Sequence, residues 1–386
     1  MSFKSLFSRS LGADPNRLHF AAHSHHLWPD ASFDGQMEAW NDAARLADRK
    51  WDKVMDEIWP AAQAEVASEL GTDDPSAIVF APNTHTLLVS LFAAASETWP
   101  IKVLTTDGEF HSARRQFARW EESGAAVVER VPVEPFDSFS DRFLAAARSG
   151  GHDFILVSQV LFGSGRTFDR VADLAGLGRP DGPWVVIDGY HAFMALDRPF
   201  ADRAYFSAFY LGGGYKYAMS GEGCAFMHAP PGYGPRPRIT GWFAEFEDLT
   251  LPPGRVGYAQ DASRFLGATF DPSSLYRFTA VRRMLAENGL TTPRINEHVE
   301  RLQRQVLDAV GATLLGEAEL LNPLDGGSHA RFLAFRSPSA QQWYAALKGK
   351  NVITDVRGDV LRIGFGIYQD GEDVERLVGK LGELEG

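Results

Sequence analysis

Short apolar runs bounded by turn residues recur through the first two thirds of the chain. They lie at Ile78–Ala81, Lys102–Thr106, Ala126–Val131, Phe154–Val160, Trp184–Asp188, Tyr205–Phe209 and Cys224–His228. Each has strand length, and helix-period stretches separate several of them, at Thr84–Ala95, Ser112–Glu122 and Phe139–Ala147. Strands that alternate with helices predict crossover connections and a mainly parallel seven-stranded sheet. The texture changes after Leu266. Two long helical patterns, Ser273–Glu287 and Thr291–Val310, precede strand-like Arg331–Phe335, Val352–Val356 and Val360–Phe365, with helices at Ser339–Lys348 and Gly371–Leu381. The pattern predicts an α/β chain: a large domain over residues 45–265, and a smaller α+β domain from residues 1–44 and 266–386. Residues Phe33–Leu70 read as helical except at Pro60, which should end or kink the helix. The Pro/Gly cluster Ala229–Pro237 reads as a loop.

Composition narrows the classes. A chain of 386 residues with 45% hydrophobic residues can bury more than one core would need. The formal net charge of −12 disfavours nucleic acid or an anionic membrane as the main partner, since either demands a basic patch. A small anionic ligand held by a few arginines stays open. Cys224 is the only cysteine, so a disulfide framework or multi-cysteine metal site is excluded. No stretch of about 20 uncharged apolar residues occurs, and the N-terminus lacks the apolar core of a signal peptide. A soluble, cytoplasmic protein is expected.

Candidate chemistry gathers where strands end. Asp188 closes the run Val185-Val186-Ile187, His191 follows one turn later, and Lys216 comes directly after Gly212-Gly213-Gly214-Tyr215. Taken singly, an aspartate there is a turn former and a histidine a core residue. Together they are what pyridoxal 5'-phosphate (PLP) requires: a lysine for the Schiff base, a carboxylate for the pyridine nitrogen and an imidazole against the ring. Asn83 and Thr84 open an apolar helix after a strand, which is both an ordinary cap and an anion site. Phe110 could stack on a ring, and Tyr215 could reach a phosphate or relay a proton. Arg362 interrupts an apolar strand, so it calls for an anionic partner, either a substrate carboxylate or a structural ion pair. His23, His25 and His26 read as lining a substrate pocket rather than as metal ligands, and no metal is expected. Neither a nucleoside-triphosphate loop nor a dinucleotide fingerprint is present.

These residues resemble the fold-type I PLP enzymes of the class V aminotransferase group, and kynureninase most closely. The pattern runs in order: Asp188/His191, Tyr215-Lys216-Tyr217, Gly241-Trp242, Gly267-Ala268-Thr269 before Pro272, and Arg362-Ile363-Gly364-Phe365 leading to Tyr368. The resemblance implies a fold-type I PLP-transferase fold. It also implies a homodimer with shared active sites, in which Asn83, Thr84 and Tyr215 hold the phosphate together with Trp242 and Thr269 of a second subunit. Lys216 would carry the Schiff base and move protons, with Tyr215 as a further acid/base. Asp188 would pair with the ring nitrogen, His191 and Phe110 would flank the ring, and Arg362 would clamp the α-carboxylate of an amino-acid substrate. The implied reaction is hydrolytic Cβ–Cγ cleavage of a kynurenine-type amino acid to an anthranilate-type product and L-alanine. An aminotransferase or β-lyase shares every cofactor residue, and a non-catalytic PLP-fold binding or regulatory protein is the rival from another class. The chain departs from the kynureninase pattern at His23–Trp28, at His111-Ser112-Ala113, at Ser158–Phe162 and at Glu222, which marks a divergent member.

Overall fold

The computed structural model describes residues 2–200, 203–245, 250–252, 254–311, 313–324 and 329–384. Its strands are, in chain order, β1 (Leu18–His19), β2 (Ile78–Ala81), β3 (Ile101–Thr106), β4 (Ala126–Val131), β5 (Phe154–Ser158), β6 (Trp184–Asp188), β7 (Ala208–Gly213) and β8 (Ala225–His228), followed by β9 (Glu319–Leu320), β10 (Phe332–Arg336), β11 (Val352–Ile353), β12 (Asp355–Arg357) and β13 (Val360–Gly364).

Seven of them form the central sheet in the order β2-β8-β7-β6-β5-β3-β4. Pairings are parallel except where β8 runs against β2 and β7. The mainly parallel seven-stranded sheet expected from the sequence is therefore present. Its centre is dry: β5 is buried at every position, and Trp184, Val185, Val186 and Ile187 of β6 are buried as well. Such uninterrupted apolar runs are the mark of strands covered on both faces. Helices Thr84–Ala94, His111–Glu122 and Phe139–Ser149 supply cover, with Phe92 stacked on Trp120 at 3.6 Å between ring centres.

A four-stranded antiparallel sheet, β12-β13-β10-β9, holds the C-terminal part, flanked by the helices Ala340–Gly349 and Gly371–Gly382. The N-terminal segment joins it, since β1 pairs in parallel with β11 and Ala21 bridges to Gly364. Lys4 adds an ion pair to both Asp370 and Asp373, each at 2.9 Å. One apolar core runs from Phe7 and Phe20 through the central sheet to Leu377 and Leu381. No helix among the described residues is long and apolar enough to cross a membrane.

Three local expectations need correction. The strand expected at Tyr205–Phe209 begins only at Ala208 and runs into the glycines, while Ala204–Phe206 forms a 3-10 turn. The strand expected at Val352–Val356 is two short strands in different sheets, split at Thr354. Pro60 does not end the helix. A π-helical turn at Val54–Ile58 precedes it, and Pro60 sits in the first turn of the α-helix Trp59–Leu70, where its missing N–H costs least.

Candidate active site

Parallel strands deliver their carboxyl ends to one edge of the sheet, and ligands in such folds sit outside that edge. Here β3 ends at Thr106, β5 at Ser158, β6 at Asp188 and β7 at Gly213. The chain beyond these ends closes a recess lined by Thr84, Phe110, Ser158, Val160, Phe162, Asp188, Tyr190, His191, Tyr215 and Lys216. Six of the residues singled out in the sequence thus meet in one place: Thr84, Phe110, Asp188, His191, Tyr215 and Lys216.

Lys216 is only 5% exposed, and its ammonium lies 2.7 Å from His191 Nε2. It also faces the rings of Tyr190, Tyr215 and Phe110, at 4.9, 5.7 and 5.8 Å from their centres. Burial pushes the amine down to about 7, against the opposing pull of Asp188. A large fraction is therefore a free amine near neutral pH, which a nucleophile or base must be. The Asp188 carboxyl is pushed up by burial, while the Tyr190 N–H, donating to Oδ1 at 3.0 Å, and the charge of Lys216 pull it down. His191 is held neutral by burial, and its Nδ1 has no hydrogen-bond partner.

The glycines before Lys216 exist because of close approach. A Cβ on Gly213 would stand 2.4 Å from the Tyr190 hydroxyl oxygen. With no side chain there, the Tyr190 ring lies over the strand end, 4.7 Å from the ring of Tyr215.

The other sequence-derived residues divide. Asn83 Oδ1 accepts from the Thr86 N–H at 2.9 Å, so it caps the helix Thr84–Ala94 at the mouth of the recess. His25 stacks on Tyr215 at 5.1 Å from outside. His23 lies fully buried behind His191, at 6.5 Å between rings, and is 3.8 Å from Asp355. His26 turns away into the core: its Nδ1 meets the Leu27 carbonyl at 2.7 Å and its ring packs on Tyr368. It does not line the recess. Arg362 is buried and bound to the Asp355 carboxylate and the Phe162 carbonyl, with its Nε left unpartnered. The ion pair weighed as the plainer reading of Arg362 is thus present. Trp242 and Thr269 are exposed and stand outside the recess, on segments that touch where Phe243 N–H donates to the Gly267 carbonyl at 3.2 Å.

Sequence reasoning missed Glu109, Ser158, Tyr190 and Asp355. Asp355 was within reach: Gly358-Asp359 is a two-residue hairpin signal, and that turn sets Asp355 opposite Arg362. Glu109 carried no such signal, because its partners are brought by strand register.

The recess fits pyridoxal 5'-phosphate on its own chemistry. It combines a buried amine of lowered pKa, a carboxylate at a strand end, an unsatisfied imidazole, aromatic walls and a capped helix N-terminus suited to a phosphate. Among the described residues no group of three or more His, Cys, Asp or Glu could hold a metal.

Comparisons with known proteins agree at the level of the fold. The chain has the fold of the cysteine desulfurases. A cysteine desulfurase from Thermococcus onnurineus superposes with a TM-score of 0.78 at 17% identity, covering 99% of this chain and 98% of that one. A cystine C–S lyase solved with cysteine persulfide gives 0.76 at 15% identity, over 98% and 100%. In sequence, residues 295–381 match the kynureninase C-terminal domain family. The isopenicillin N epimerase of Streptomyces clavuligerus is 26% identical over 383 residues, 89% of each chain.

Proposed function

We propose that this chain is a PLP-dependent enzyme acting on an amino acid, and that its reaction is hydrolytic Cβ–Cγ cleavage of a kynurenine-type substrate, releasing L-alanine. One observation carries the first part: the buried Lys216 amine, pushed down to about 7, against His191 in an aromatic recess that the Asp188 carboxylate also lines. When bound, the cofactor supplies an aldehyde that condenses with amines and a ring that draws electrons from the α-carbon.

The chain's residues do the rest. Asp188 would hold the ring nitrogen, Phe110 and His191 would flank the ring, and the helix N-terminus at Asn83 and Thr84 would take the phosphate. Lys216 would hold the cofactor, and its amine would take the Cα proton of the substrate. Burial pushes the Tyr215 phenol up to about 12, so it keeps its proton near neutrality. It serves as a hydrogen-bond donor or acid for the later steps rather than as a base. Arg362 takes the substrate carboxylate through its unpartnered Nε or by exchange with Asp355.

The match of residues 295–381 to the kynureninase C-terminal domain supports the cleavage reading, since it spans Arg362. A second reading, epimerisation at Cα, is favoured by the isopenicillin N epimerase likeness, which runs along 89% of the chain. The desulfurase chemistry of the structural neighbours finds no support. Cys224, the single cysteine, is buried and its thiol is pushed up to about 12. Such a thiol is no nucleophile. The working unit is a homodimer in which Trp242 and Thr269 of one subunit close the recess of the other.

Anthranilate fluorescence after mixing PLP-loaded protein with L-kynurenine tests the proposal. Release that Lys216→Ala abolishes is the expected result. A normal visible cofactor band without release, but with an added L-amino acid converted to its D form and deuterium entering Cα, would replace cleavage by epimerisation. Full activity in Lys216→Ala would sink both.

A further inference from the structure

Glu109 has no exposed surface and hangs from the turn after β3, directly before Phe110. A carboxyl in such a place must either keep its proton or find donors for its oxygens. It has three: Thr106 Oγ1 donates to Oε1 at 2.7 Å, the Ser158 N–H to Oε1 at 3.2 Å and the Ser158 hydroxyl to Oε2 at 2.5 Å. Ser158 is the register partner of Asp188 on the neighbouring strand, and both line the recess. Two carboxyl groups therefore stand beyond the ends of β3 and β6, the strands on either side of β5, which carries Ser158.

The two states of Glu109 use that serine differently. When Glu109 is ionised, the Ser158 hydrogen is committed to Oε2. When it is protonated on Oε2, the carboxyl O–H donates to Ser158 Oγ, and the serine hydrogen turns away from Glu109. The proton involved comes from solvent and returns there. Burial pushes the Glu109 carboxyl up to about 7, the three donors hold it back, and Asp188 adds repulsion. Around this pair, Lys216 acts on Asp188 from the end of β7, Arg362 acts on Lys216 from β13, and His191 touches Lys216.

We propose that Glu109 is a positioning residue: through Ser158 and through its own charge, it sets how strongly Asp188 holds a proton-bearing ring nitrogen. This rests on reading the recess as the PLP site. The absence of any surface on Glu109 keeps its charge out of reach of solvent screening.

The test uses the nearly isosteric Glu109→Gln, with Ser158→Ala as a second variant that keeps the carboxyl but removes the hydroxyl that holds its pKa down. In cofactor-free protein, pH-dependent denaturant unfolding reads Glu109 directly. Its raised folded pKa gives stability at low pH that is lost as pH rises toward the folded value. The unfolding constant of wild type relative to Glu109→Gln should therefore worsen by about tenfold per pH unit between roughly pH 5 and 7, then level off. Asp188→Asn should move the upper end of that window to lower pH. In cofactor-loaded protein, the visible absorption band should titrate at a different pH in Glu109→Gln and in Ser158→Ala than in wild type.

A window that Asp188→Asn leaves in place would overturn the coupling. Coincident band titrations would reduce Glu109 to a buried structural carboxyl. Wild-type protein that takes up no PLP would reject the proposed function, and the cofactor-free window would then decide the coupling by itself.

Discussion

Lys216 and Asp188 face the same conflict from opposite sides: each is driven toward its neutral form by burial, and each is the other's main opposing charge. An amine whose folded pKa lies below its unfolded value costs stability wherever it must be charged in the fold. That cost is complete below about pH 7 and fades as pH rises toward the unfolded value near 10.5. Lys216→Met should therefore stabilise the cofactor-free protein at pH 7, by roughly 1–3 kcal/mol, with the gain shrinking at higher pH. Denaturant midpoints across pH 6.5 to 10 check this. A gain that grows with pH would mean that Lys216 is not held as a free amine. Sites that trade stability for function behave this way, and the trade was readable in the sequence, because a lysine after a glycine run fits poorly with a solvated surface charge. Glu109 was not readable. Its importance comes from Thr106 and Ser158, which meet it only through strand register and a turn.

At the scale of elements, most strands and helices could be read because the central strands are continuous apolar runs with no competing period. The misplacement at β7 has a specific cause. Tyr205-Phe206-Ser207-Ala208-Phe209 carries the aromatic signal of a strand, and Gly212-Gly213-Gly214 that of a loop. The structure reverses this, since Gly212 and Gly213 pair with Phe226 and Ala225 of β8. The rings of Phe226 and Tyr190 occupy the space that their side chains would fill. Local propensity lost to packing. Gly213→Ala should accordingly push Tyr190 into the recess rather than unfold the strand. The expected result is cofactor affinity lowered by an order of magnitude or more, with a loss of about 1–3 kcal/mol in stability, read by absorbance titration beside thermal melting. A variant that binds PLP like wild type would show that the ring has room to move aside.

At the scale of the whole molecule, the proposed homodimer would have each chain gather one half of a site and display parts of another. The recess collects Thr84, Phe110, Asp188, His191, Tyr215 and Lys216, whereas Trp242 and Thr269 stand exposed outside it, with Trp242 46% exposed. A large aromatic ring left half open to water is a candidate for cover by another surface. The proposed two-fold dimer would cover it twice, because the same patch would meet the same recess on both sides. Such an arrangement makes a prediction that no single-chain site can satisfy. Lys216→Ala destroys the recess of its own subunit, and a Trp242→Ala/Thr269→Ala double variant damages only the recess of its partner. When the two inactive proteins are mixed and exchanged at equal amounts, about half of the dimers are hybrids. In each hybrid, the recess with Lys216 faces the intact Trp242 and Thr269 of the other chain, so about a quarter of wild-type activity should return. Sedimentation beside the assay separates the outcomes. Hybrids that form without regaining activity would confine each site to one chain, and a protein that sediments as a monomer while active would remove the shared site altogether.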